Sequence, residues 1–135
     1  MDVRQERLLR VAFLAGPVTD AAALVPMLFP FLAGLVWGFH DVSGSYRFAM
    51  GYCAALMLGW TALLIWAYRR PMKSRAVAAL TALVLYGLVL TEILAVLSGA
   101  LEASRMVPTW CLQAALLALF ASAYHYPSLR RWVAA

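Results

Sequence analysis

Residues 76–98 read AVAALTALVLYGLVLTEILAVLS, an apolar run in which Glu92 is the lone charge. At about 1.5 Å per residue such a run makes a helix of roughly 35 Å, long enough to cross a hydrocarbon core of about 30 Å. A helix that is apolar on every side has no face to turn toward water. Three further runs share this character, at 20–39, 46–68 and 108–126. The connections at 40–45, 69–75 and 99–107 are too short to build a soluble domain. The chain therefore reads as an all-α membrane protein, one domain over 1–135 made of a four-transmembrane-helix bundle. Strands are disfavoured by the same physics, since open sheet edges go unsatisfied in lipid and the runs do not alternate as barrel strands do.

Composition points the same way. The chain is 65% hydrophobic and 13% charged, with a mean hydropathy of +0.82. A soluble domain runs at about 45–50% apolar and about 25% charged. The net charge of +5 is a matter of topology. Arg4, Arg7, Arg10, Arg69, Arg70, Lys73, Arg75, Arg130 and Arg131 fall on one side of the four spans, and Arg47 and Arg105 fall on the other. Basic residues in short loops stay in the cytoplasm, so both termini are expected there, in a bacterial-type inner (plasma) membrane. The same charges attract anionic lipid headgroups, and no nucleic-acid partner is expected. Aromatic residues fit this frame, with Trp37, Phe39, Tyr46, Phe48 and Trp110 at the outer interface and Trp66, Tyr68, Tyr124, Tyr126 and Trp132 at the inner one.

The opening stretch, MDVRQERLLRVAFLAGPVTDAAA, imitates a secretion signal poorly, because Asp2 and Glu6 interrupt its basic part and Asp20 precedes the small residues. It is expected to form a short interfacial helix ended by Gly16 and Pro17, with Thr19 or Asp20 capping the first span. That span carries Pro26 and Pro30 four residues apart, which remove backbone donors, kink the helix and shape a pathway if there is one.

Small residues recur every four positions. Gly34 and Gly38 follow the prolines, Gly51, Ala55 and Gly59 mark the second span, and Gly87, Thr91, Ala95 and Gly99 mark the third. The fourth has Ala114, Ala118 and Ser122. Such faces let backbones approach closely, so they predict a compact bundle. A surplus face would instead make a homo-oligomer or dock another membrane subunit.

Glu92 is the sharpest functional candidate. It lies roughly 24 Å along its helix from Ala76, in the outer half, on a stripe with Thr81, Leu85, Leu88, Ala95 and Gly99. An unpaired carboxylate in lipid costs a few kcal/mol on insertion scales, so a partner is required. Arg47, Arg105, His40 and Gln113 are within plausible reach. Otherwise the acid stays protonated until a proton or cation pathway uses it.

Other chemistry is sparse. Cys53 and Cys111 do not form a Cys-x-x-Cys pair and are expected as small buried thiols. Trp60 and Tyr86 are expected in the core. His40, Asp41 and Glu102 lack metal-ligand spacing, so no metal, no catalytic residues and no cofactor are assigned. The expected role is a non-catalytic membrane component whose partners are the bilayer and either a second copy or another membrane subunit. A small-solute or proton-linked transporter using Glu92 is the alternative, and a membrane enzyme acting on a lipid or quinone the second alternative.

Overall fold

The computed structural model describes residues 3–39 and 43–133, with side chains as far as His125. The described chain is helical: α1 (Val3–Leu28), α2 (Pro30–Trp37), α3 (Gly44–Arg69), α4 (Arg75–Leu97) and α5 (Ala103–Val133). Among the described residues four segments are long and apolar enough to cross a membrane, namely α1, α3, α4 and Ala103–His125 of α5.

The first span departs from expectation. There is no separate interfacial helix, because α1 runs unbroken through Gly16 and Pro17, and Thr19 and Asp20 lie inside it rather than at its cap. Gly16 is a point of close approach. A Cβ built there would lie 2.7 Å from Leu64 Cδ1 and 3.3 Å from Phe120 Cζ. Pro17 leaves the Phe13 carbonyl without its helical donor. Ending the helix would free a whole turn of carbonyls, which costs more in an apolar medium than one missing N–H. Thr19 Oγ1 lies 3.1 Å from Ala15 O and 2.7 Å from Gly16 O, adding a donor beside the proline. The segment is no surface helix either: Gln5, Leu9, Ala12 and Phe13 are buried, and Gln5 Nε2 donates to Ala123 O at 3.2 Å.

The break comes at Phe29, which is extended (φ −114°, ψ 99°) ahead of Pro30 at the start of α2. A residue before proline is steered away from the helical region, and proline suits the first helical position. The four-residue spacing also means that the N–H that would serve the Pro26 carbonyl is the one Pro30 lacks. Helix α2 ends at Gly38 (φ 77°), whose N–H reaches Gly34 O at 3.0 Å. Gly99 (φ 75°) performs the same left-handed turn after α4. Gly38 and Gly99 thus serve turn geometry, and a Cβ at Gly34 would lie 3.0 Å from Phe39 O, so these three do not form the packing face between helices expected of them.

Helix α1 occupies the centre, flanked by α3 and α5, and α4 packs mainly on α5. Although joined by a short turn at 70–74, α3 and α4 take different main partners. The core is built from Leu9, Phe13, Leu64, Leu85, Leu116 and Phe120, with Ala12, Ala67, Ala78 and Ala123 between them. Most of these belong to the end of the bundle where α1 and α4 start and where α3 ends. Contacts confirm that shared end: the Arg10 guanidinium sits 5.7 Å from the Tyr68 ring, and Arg75 lies 4.7 Å from the Tyr124 ring while Arg75 Nε donates to Tyr124 O at 2.9 Å. Arg4, Arg7, Arg69, Arg70 and Lys73 cluster there too, so the charge asymmetry of the sequence is a physical asymmetry of the fold.

Large side chains fill this core, which leaves the small faces outside. Gly51, Ala55, Gly59, Gly87, Thr91, Ala114 and Ala118 are exposed, while Ala95 and Ser122 are partly buried. A Cβ at Gly51, Gly59 or Gly87 would meet nothing within 4 Å. Cys53 and Cys111, expected as buried thiols, are free and exposed. Trp60 packs against the core, whereas Tyr86 is 60% exposed.

Candidate functional site

Glu92 sits late in α4 and meets α5. Gln113 Nε2 donates to Glu92 Oε1 at 2.8 Å, which selects one of the four expected partners. Arg105 is instead engaged by Glu102, Nε to Oε2 at 3.0 Å, and its side chain packs over Gly38. Arg47 lies on the opposite side of α1, in a cleft described below. His40 falls outside the described residues.

The pairing is incomplete. Glu92 Oε2 and Gln113 Oε1 are both buried without a hydrogen-bond partner. Trp110, one turn before Gln113 on α5, brings its indole to the same carboxylate, and its buried Nε1–H closes no hydrogen bond by distance and angle. Gln113 itself is 7% exposed. The cluster therefore holds two acceptors and one donor with hydrogen-bonding capacity unused, in surroundings where unmade bonds are costly.

A second acid lies within the helices. Asp20, placed at a cap by sequence, is partly buried in α1, and Thr61 Oγ1 on α3 stands 3.2 Å from its Oδ2. The same hydroxyl is 2.9 Å from Met57 O. A threonine has one hydrogen to give, so it serves the helix carbonyl or the carboxylate, and the Asp20 contact depends on which. Measured along α3 from Arg69, Thr61 is about 12 Å deep, whereas Glu92 is about 25 Å along α4 from Arg75. The two acids occupy different depths and different helix pairs. The signal for Asp20 was available: Leu8 to Leu28 is apolar enough for a span once Gly16 and Pro17 are not treated as a stop.

Near the α1/α2 break a cleft of about 310 Å³ opens against the first turns of α3. Met27, Leu28, Pro30 and Met50 supply its apolar wall, and Tyr46 and Arg47 its polar groups. Pro30 lines this cleft, and Pro26 is buried in the last turn of α1 just before it. No group of three His, Cys, Asp or Glu among the described residues could hold a metal.

Compared with known protein families, curated proteins and solved structures, the chain matches none.

Gln113 is the donor that holds the Glu92 carboxylate. Gln113→Leu is expected to lower stability by about 1–3 kcal/mol through the acceptor it strands. The double variant Glu92→Leu/Gln113→Leu should recover most of that loss. Unfolding in detergent micelles, followed by circular dichroism, measures both, and strictly additive single effects would contradict the pairing.

Proposed function

We propose that the protein is a non-catalytic membrane component that associates with a second copy of itself through the outer face of α3. The observation behind this reading is the exposed stripe Gly51, Ala55 and Gly59, where a Cβ at either glycine would have open space. Beside it stands a ridge of Phe48, Tyr52 and Leu56, which are 76%, 63% and 61% exposed. Phe48 and Tyr52 stack at 6.4 Å between centroids, so the ridge is already ordered. A groove and a ridge, both at four-residue spacing on one helix, are complementary to their own copy across a two-fold axis. Lipid tails are as apolar as leucine, so close backbone approach supplies what hydrophobicity cannot in a bilayer.

We assign the basic end to the cytoplasm, with both termini on that side of a bacterial-type inner membrane. Nine of the eleven Lys and Arg support this, counted over short loops. A second reading, proton-linked transport, is favoured by the unused hydrogen-bonding capacity at Glu92, Gln113 and Trp110.

Each reading has its measurement. Gly59→Ile should abolish self-association in lipid, measured by energy transfer between labelled copies, while leaving the helical circular dichroism of the protomer unchanged because nothing in the protomer packs on that position. The contrasting Gly16→Ala, whose Cβ would push on the buried Leu64 and Phe120, should lower the melting temperature by an amount corresponding to about 1 kcal/mol, the overpacking being partly offset by the helix propensity gained. A monomeric wild type would end the self-association reading, and stoichiometric capture of another membrane chain that Gly59→Ile releases would move it to a different subunit. For topology, a reporter active only in the cytoplasm and fused after Ala135 should be active, and silence there with activity of an external reporter would reverse the orientation. For transport, liposomes should show proton flux under an imposed potential that Glu92→Gln removes, and equal flux in both would dismiss it.

A further inference from the structure

The cleft at the α1/α2 break lies at the end of the bundle away from the basic cluster. Two of its groups are unmatched. Tyr46 Oη is buried and has no hydrogen-bond partner, although its ring is fixed edge-on to Phe39 at 5.6 Å. Arg47 makes no ion pair among the described residues, while Arg105, the other cation at this end, is held by Glu102. The remaining wall is apolar, and the neighbouring Leu28, Phe29 and Phe31 are exposed at 59%, 59% and 82%. The cleft therefore opens sideways onto a surface that suits hydrocarbon.

We infer that this cleft binds one anionic phospholipid, with its phosphate between the Arg47 guanidinium and the Tyr46 hydroxyl and an acyl chain along Met27, Leu28 and Pro30. A guanidinium and a phenol both donate hydrogen bonds, and a phosphate diester accepts from both at once. The cleft volume matches that of sites that are mostly apolar with a few convergent polar groups. Among the described residues no carboxylate lines it, so none of them meets the ammonium of a zwitterionic headgroup. A free phosphate ion would leave the apolar wall uncovered, which favours the lipid as the source of the anion. The basic cluster at the opposite end attracts anionic lipid diffusely, whereas a single cation beside a hydroxyl and a cleft defines a stoichiometric site. Gly51 borders both the cleft and the α3 stripe, so the two proposals are separated by testing the stripe at Gly59, two turns further along.

The test is native mass spectrometry of the full chain released from detergent after titration with phosphatidylglycerol, phosphatidylcholine or inorganic phosphate. One phosphatidylglycerol per protomer should be retained, with phosphatidylcholine held much more weakly. Arg47→Gln should weaken retention by about tenfold, and Tyr46→Phe, which removes only the hydroxyl, by severalfold. Arg69→Gln at the other end should change nothing. Circular dichroism melting shows whether each variant is folded, and Tyr46→Phe keeps the ring that packs on Phe39. Equal retention of both lipids, or an equal loss with Arg69→Gln, would overturn the site. Displacement of the lipid by millimolar inorganic phosphate would overturn it in favour of a soluble anion.

Discussion

Everything in this bundle turns on the passage of α1 between α3 and α5 at Gly16. There the backbone comes close enough that a single added carbon would press on Leu64 and Phe120. Phe13 and Phe120 meet at 6.2 Å between ring centroids just before this point, and both are essentially without exposure. Helix α1 is thereby the shared wall of two helix pairs that otherwise go separate ways, α3 on one side and α4 with α5 on the other. Widening that crossing would unseat Leu9, Leu64, Leu116 and Phe120 together, because they form one cluster. Dispersion contacts are individually weak and collectively large, and in lipid they act with little help from the hydrophobic effect.

This arrangement explains where the polar groups are. The packed core lies toward the basic end, where short ties such as Gln5 to Ala123 and Arg75 to Tyr124 satisfy backbone carbonyls. Toward the other end the helices have fewer neighbours, and there the polar side chains are only partly matched. Glu92, Gln113, Trp110 and Tyr46 all retain buried atoms without partners. Trp60 Nε1, nearer the basic end, is a further buried donor without a partner, so the unused capacity is greater at the far end but not confined to it.

The four spans, and the gathering of basic residues toward one end of them, were legible because they rest on sums over many residues, which local exceptions do not disturb. Runs of apolar residues and the placement of nine cations are robust in that sense. The misreadings came from single residues whose meaning depends on the solvent. Gly16 and Pro17 punctuate a helix in water, where freed carbonyls find a partner; in lipid the helix continues through them. Asp20 was misplaced for that reason alone, since a residue after a supposed stop becomes a cap instead of an intramembrane acid. Gly38 and Gly99 were read as packing surface because spacing cannot distinguish a glycine needed for a close approach from one needed for a positive φ. Cys53 and Cys111 were expected inside by analogy with soluble cores, yet in a membrane bundle an outward thiol meets no water. The Glu92 partner was in the expected set, but sequence could not choose Gln113 over Arg47, because the choice depends on α4 packing on α5 while α3 packs on α1.

Glycine carries two opposite meanings in this chain, and the contrast bears on function. At Gly16 the missing side chain is occupied by a neighbour; at Gly51, Gly59 and Gly87 it is open space. Glycine in a helix interior costs about 0.5–1 kcal/mol relative to alanine, and no internal contact at the second set offsets that cost. If the lone chain were the whole assembly, these positions would be a standing loss with no structural return. A helix that keeps such residues on its exposed face, beside an ordered ridge of Phe48 and Tyr52, has the shape of a surface made to be covered. On the self-association proposed above, the physical sense of the open glycines lies between chains, while that of Gly16 lies within one.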